Sequence, residues 1–404
     1  MYNTSKRCFM EFNEKMYGLG SRRSVIREIF EYSKKRAAEI GEENVFDFSL
    51  GNPSVEPPKE IKETIIELLN NENSTALHGY TSAQGALSTR LAVAEHINRR
   101  FGADVTPDLI YMSCGAAASL AISLHAIAEH GDEVIALAPY FTEYKVFVEN
   151  AGAALVVCPP DDRLYPDLVA LEGLINEKTR AIIVKSPNNP RGVIYNAECI
   201  KALCSLTKKK SKEYGKIIYL VADEPYRELV YDGVSVPYLM NHYDNTLVCY
   251  SYSKALSLPG ERIGYVAVSP KMCDADKVYN AICGAGRSLG YVCAPSLFQK
   301  IIEKCVDSRV DVGIYKENRD ILLSALTEYG YECVRPDGAF YLFVKSLESD
   351  ATSFCEKAKK HELLLVPCDD FGVSGYFRIA YCVDKSRIID SLPAFKALAD
   401  EYKV

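Results

Sequence analysis

One lysine in this chain stands where an amine could act as a nucleophile. The stretch from Ser251 through Tyr252, Ser253, Lys254, Ala255, Leu256, Ser257, Leu258, Pro259, Gly260, Glu261, Arg262 and Ile263 to Gly264 follows an apolar run, Thr246 to Tyr250, that reads as a buried strand. Lys254 therefore falls just past a strand end, and in open α/β sheets ligands gather outside the carboxyl ends of the strands. A lysine that loses water there and gains cationic neighbours becomes a usable amine nucleophile. Ser251 and Ser253 add small hydroxyls and Arg262 adds a cation. Together these could hold a phosphate while the amine condenses with an aldehyde. For any single lysine, a solvated residue after a strand is the plainer alternative.

Other clusters follow other apolar runs, and each admits two readings. The small residues of Cys114 to Ser119, among them Gly115, Ala116 and Ala117, either let backbone N–H groups at a helix start approach a phosphate or let a helix pack closely. Pro139-Tyr140-Phe141 offers flat rings for stacking or for the core. Ser186 to Gly192, with Asn188 and Asn189 between prolines, is a turn or a fixed amide donor. Asp223 caps a following helix or pairs with a ligand cation, and Tyr226 lies three residues on. Arg378, between Phe377 and Ile379, needs an anionic partner, which is a structural carboxylate or the α-carboxylate of an amino acid. Gly51 is a turn glycine or a substrate contact.

The Ser251–Gly264 window resembles the pyridoxal-phosphate attachment signature of class I/II aminotransferases, small-apolar-small-Lys through Arg-apolar-Gly, at every constrained position. The likeness extends from about Val45 to the C-terminal helix and implies the aspartate-aminotransferase-like fold of pyridoxal-phosphate enzymes. By that resemblance Lys254 carries pyridoxal 5'-phosphate as an imine and later acts as the base. Asp223 would pair with the pyridine nitrogen, and Asn189 and Tyr226 would share the phenolic oxygen. Phe141 would cover the ring. The backbone at Gly115, Ala116 and Ala117, with Ser251, Ser253 and Arg262, would hold the phosphate. Gly51, Asn189 and Arg378 would meet the substrate, and Tyr80, in Gly79-Tyr80-Thr81, would reach the phosphate of a neighbouring subunit in a homodimer. The implied reaction moves an amino group from an L-amino acid to a 2-oxo acid in ping-pong fashion.

Arg191 departs from the pattern, which has Thr, Ser or Asn there, and implies a local difference such as a substrate or surface contact. A carbon-sulfur β-lyase or a decarboxylase on the same scaffold is the nearest alternative. A cofactor-sensing regulator would need an added DNA-binding domain, for which the N-terminal segment leaves no room. A pyridine-nucleotide oxidoreductase would rest on Gly284 to Gly290 alone, whose spacing misses the dinucleotide pattern by one residue and lacks its strand-turn-helix setting. That segment reads as a loop near a dimer interface. Arg287 within it is a surface residue or a contact for a distal carboxylate.

The elements that must position these groups are legible in outline. Apolar runs at Leu109–Met112, Val134–Leu137, Ala154–Val157, Ala181–Val184, Ile217–Val221, Leu247–Tyr250 and Ile263–Val268 alternate with helical patterns. Near-continuous apolar strands argue for a mainly parallel sheet covered by helices, an α/β architecture. Ser24 to Ile40 reads as a helix ended by Gly41, Val45 to Leu50 as a strand, and Ser296 to Tyr329 as a helical bridge. Strands near Tyr331–Val334, Ala339–Val344, Leu363–Val366 and Tyr376–Cys382 make a smaller α+β lobe. The divisions are an N-terminal segment, 1–60, contributing to the small lobe, a large domain, 61–300, and a small domain, 301–404.

With 404 residues, 48% of them hydrophobic and 25% charged, the chain can bury one large core and a smaller one. A net charge of -7 supplies no general basic field for nucleic acid or acidic membranes. The 14 cysteines are scattered through apolar segments without a Cys-x-x-Cys and read as reduced core thiols. The six histidines show no metal-ligand spacing. Met1 to Arg23 has no apolar core long enough for a signal peptide or membrane span, so the expected location is cytoplasmic.

Overall fold

The computed structural model describes residues 12–21 and 24–403; most of the segment read for a signal peptide, residues 1–11, 22 and 23, lies outside them. The described chain begins with helices Glu14–Ser21 and Val25–Ile40, the second ended at Gly41. Of the strand expected at Val45 to Leu50, only β1 (Phe46–Asp47) pairs, parallel to Leu363–Leu364. The N-terminal segment is thereby joined to the C-terminal part of the chain.

Seven strands form the main sheet: β2 (Ile110–Ser113), β3 (Glu133–Leu137), β4 (Ala154–Cys158), β5 (Thr179–Lys185), β6 (Tyr219–Asp223), β7 (Thr246–Ser251) and β8 (Gly264–Val268). Their order is β2-β8-β7-β6-β5-β3-β4. Neighbours pair parallel except β8, which runs against both β2 and β7. The expected mainly parallel α/β sheet is what forms, and all its strands but the edge strand β4 are largely buried because helices cover it. Helix Ala116–Ile127 packs against β7 and beside helices Tyr144–Asn150 and Ala275–Ser288. Six strands thus send their carboxyl ends to one edge.

The second core gathers Phe48 and Val55 with residues from Tyr226 to Ala399. Its sheet comprises β9 (Cys333–Val334), β10 (Tyr341–Lys345), β12 (Val366–Pro367) and β13 (Tyr376–Ala380), all antiparallel, while β11 (Leu363–Leu364) pairs with β1. The helical bridge is two helices, Ser296–Cys305 and Val312–Tyr329, rather than one continuous run. Gly284 to Ser288, expected in a loop, instead ends the helix Ala275–Ser288. Gly286 is there because a Cβ would strike the Tyr111 hydroxyl. Among the described residues every cysteine is a free thiol, and no helix is long and apolar enough to cross a membrane.

Gly264 opens β8 where the backbone is most crowded: a Cβ would run into the Tyr250 carbonyl and come within 3.0 Å of Gly115 Cα. Gly264→Val is expected to destabilise the protein by about 1–3 kcal/mol through overpacking, read as a lower urea midpoint. An unchanged midpoint would show that the strand can shift to make room.

Candidate active site

The strand ends and the smaller lobe enclose a cavity of about 370 Å³. Lys254 projects into it from the short helix Tyr252–Ala255, whose start is capped by Ser251 accepting from the Ser253 N–H. Its Nζ donates to the Gly51 carbonyl at 2.6 Å and lies 5.4 Å from the Phe340 ring centroid. Among the described residues no carboxylate pairs with it. Loss of water pulls its pKa down to about 8; Cys382 opposes this, and the cations of Lys185, Arg262 and Arg378 each add a smaller downward pull.

One end of the cavity gathers a helix start, two hydroxyls and a guanidinium. Gly115 precedes the helix Ala116–Ile127 with φ 84°, and a Cβ there would meet Arg262 Nη2 at 2.9 Å. Ala116 and Ala117 open the helix and line the cavity with Ser251, Ser253 and Arg262. The two serine hydroxyls lie 2.7 Å apart, and Arg262 reaches the Cys114 carbonyl at 3.2 Å and the Pro259 carbonyl at 2.9 Å. Arg262 itself has φ 51°, a left-handed conformation costing a non-glycine residue about 1–2 kcal/mol.

Asp223 is the last residue of β6, two positions beyond the expected strand end. No α-helix follows it, so the helix-cap alternative is set aside. Its Oδ2 accepts from Lys185 Nζ at 2.5 Å and from the Tyr144 hydroxyl at 2.6 Å, whereas Oδ1 is buried without a partner. Asn189 and Tyr226 line the same wall. The Tyr226 hydroxyl bonds that of Tyr341 at 2.8 Å, and burial, with Tyr341 beside it, holds the Tyr226 phenol well above its ordinary pKa. Phe141 faces the cavity with its ring edge-on to Tyr144.

Arg378 comes from β13, across the cavity. It is buried, donates to Asn189 Oδ1 at 3.1 Å and to the Ser49 carbonyl, and stacks over Tyr341 at 4.6 Å. Nε has no partner, and among the described residues no carboxylate pairs with this guanidinium, so the structural ion-pair alternative is not met. Gly51 lines the cavity, and a Cβ there would overlap the Tyr341 hydroxyl, which gives this glycine a steric reason.

Two expected residues stand apart. Tyr80 is 98% exposed and does not line the cavity. Arg191, expected at a substrate or the surface, is at neither: it is fully buried, donates to the Tyr195 hydroxyl at 3.3 Å, and its Nε and Nη1 have no partner. Arg287 is exposed near the end of its helix. The residues that the sequence reading missed are Lys185, Tyr144 and Tyr341, with Ser24 and Ile26, which line the cavity from the start of the second helix. Lys185 carried a signal, a charge closing an apolar strand, but its partner is set by register.

The family model "Aminotransferase class I and II" matches residues 43–390. The aspartate aminotransferase of Thermotoga maritima is 29% identical over 356 residues, covering 87% of this chain and 90% of that protein. The aspartate/prephenate aminotransferase of Thermus thermophilus is 30% identical over 353 residues, covering 85% and 88%. A crystal structure of an amino transferase from Eubacterium rectale superposes with a TM-score of 0.96 at 56% identity, covering 98% of this chain and 100% of that one.

An amine is nucleophilic only when unprotonated. Trapping of a small aldehyde on Lys254 by borohydride should therefore rise with pH through a midpoint of about 8. Mass analysis of the peptide holding Lys254 reads this; a midpoint at the ordinary lysine value would show the amine to be fully hydrated.

Proposed function

The chain belongs to the class I and II aminotransferases, and on that premise we propose how its residues carry transamination from an L-amino acid to a 2-oxo acid with pyridoxal 5'-phosphate. The residues present fit that group. Gly115, the serines and Arg262 make an anion cradle that a Cβ would fill, Asp223 leaves a buried oxygen unpartnered, and Lys254 is a desolvated amine between them. When bound, the cofactor supplies an aldehyde for the lysine and a ring that takes up electrons as the α-proton leaves.

Lys254 is the nucleophile, and its amine, once released by an incoming amino acid, takes the α-proton and holds it at Nζ for return. Arg378 clamps the α-carboxylate with its planar donors, helped by Asn189 and the close backbone at Gly51. Asp223, with its unpartnered Oδ1, would hold the ring nitrogen's proton, Asn189 and Tyr226 would hold the phenolic oxygen, and Phe141 would shield the ring. The amides at Gly115, Ala116 and Ala117, the hydroxyls of Ser251 and Ser253, and Arg262 hold the phosphate. One observation carries this reading: a buried Arg378, without a carboxylate partner among the described residues, faces the same cavity as the desolvated Lys254.

The working unit in this reading is a cytoplasmic homodimer in which Tyr80 of each chain completes the other's phosphate site. Its almost full exposure in one chain supports that role. The division near residues 60 and 300 into a small and a large domain belongs to the same reading, supported by the separate apolar cores.

Lys254→Ala is expected to lose both the cofactor's imine absorbance and turnover, and Asp223→Ala to bind cofactor but not turn over. Full activity in either variant would overturn the assigned role. A half-reaction panel of amino acids, followed by absorbance, identifies the donor; pyruvate and ammonia from cystathionine without any oxo acid would instead mark a lyase. Arg378→Met should lower kcat/KM on the order of 100-fold, chiefly through KM.

A further inference from the structure

Lys185 has no part in the mechanism above, yet it sits in the same cavity. It ends β5, and the parallel ladder places it opposite Asp223 at the end of β6. Both side chains are buried, at 7% and 2% residual exposure. Its Nζ meets Asp223 Oδ2 at 2.5 Å and lies 5.3 Å from the ring centroid of Tyr226 and 5.5 Å from that of Phe141. A buried ammonium among rings needs a counter-ion, and a buried carboxylate needs one too. Each satisfies the other here, through one oxygen, while Oδ1 stays free.

The groups facing Asp223 come from several elements. Besides Lys185 these are Tyr144 from helix Tyr144–Asn150, Tyr226 from the turn after β6 and Cys249 from β7. Burial pushes both phenols and the thiol upward, so all three stay neutral and protonated. Of these groups Lys185 is the only cation. Around Lys254 the facing groups are Cys382, Lys185, Arg262 and Arg378, so Lys185 bears on both ends of the reaction centre.

Resting on the cofactor reading, we propose that Lys185 is a positioning residue that fixes Asp223 by Oδ2, leaves Oδ1 as the atom for the ring nitrogen, and weakens the carboxylate's hold on the ring proton by offsetting its charge. An unopposed aspartate would keep that nitrogen protonated to high pH. Here the neighbouring ammonium lets the proton go at lower pH, which moderates the ring as an electron sink.

The test loads the protein with cofactor labelled with nitrogen-15 in the ring and follows the ring-nitrogen chemical shift against pH. Lys185→Met should raise the deprotonation midpoint by about 1 pH unit or more, the usual effect of removing a charge this close. Lys185→Gln, which keeps a donor for Oδ2 and removes only the charge, should do the same and serves if the methionine variant does not fold. Lys185→Arg should keep the wild-type midpoint. A midpoint unmoved in the glutamine variant, or raised in the arginine variant, overturns the role of Lys185 alone. Failure of wild-type protein to take up the label at Lys254 would instead bring down the cofactor reading with it.

Discussion

A negative charge buried at the end of a strand sets the terms for everything around it. Asp223 is buried at 1% exposure, with Lys185 and Tyr144 donating to one of its oxygens, and burial of a carboxylate without donors costs several kcal/mol. Around it the cavity wall carries Lys185, Lys254, Arg262 and Arg378 as cations, against Asp223 and Glu143. That positive excess suits a guest that brings its own anions. A phosphate at one end and a carboxylate at the other satisfy it, which is why the pocket's charge and its proposed guests suit one another.

The second lobe fixes the other half of the site by backbone contact. The amides of Asp337 and Gly338 both donate to the Gly192 carbonyl at 2.9 Å, and Ala339 donates to Leu229 at 2.8 Å. Side chains at Gly192 or Gly338 would collide with the opposing backbone. Tyr226 and Tyr341 join hydroxyls across the same seam, and Arg378 reaches Asn189 just above it. The arginine is therefore placed relative to the lysine by main-chain hydrogen bonds rather than by its own flexible stem.

What could be read from sequence were the groups whose chemistry demands particular residues in local order. Lys254 with its serines and Arg262 lies within one short stretch, and all of these line the cavity. Strand ends slipped by a residue or two, because an apolar run does not reveal where its ladder stops, and so Asp223 proved to belong to the strand itself. Lys185 was hidden because its meaning lies in the register between β5 and β6, which no local pattern encodes. Tyr341, Ser24 and Ile26 arrive from distant segments through tertiary packing. Gly284 and Gly286 suggested a loop by type, but both lie in the helix Ala275–Ser288, where close packing on Tyr111 leaves no room for a side chain at Gly286.

The antiparallel turn-back at β7 and β8 makes the lysine segment a bridge with both feet in the sheet. Ser251 faces Gly264 in the ladder, and the Tyr252 amide donates to the Ile263 carbonyl at 3.1 Å, so the residues between begin and end at the same point. Closing so short a loop costs little extra entropy once the strands are paired. The lysine is therefore carried on a span tethered at both ends, whose buried Ala255, Leu256 and Leu258 anchor its middle in the core as well. Anchored in this way, the amine keeps its position relative to the strand ends whether or not a guest is bound.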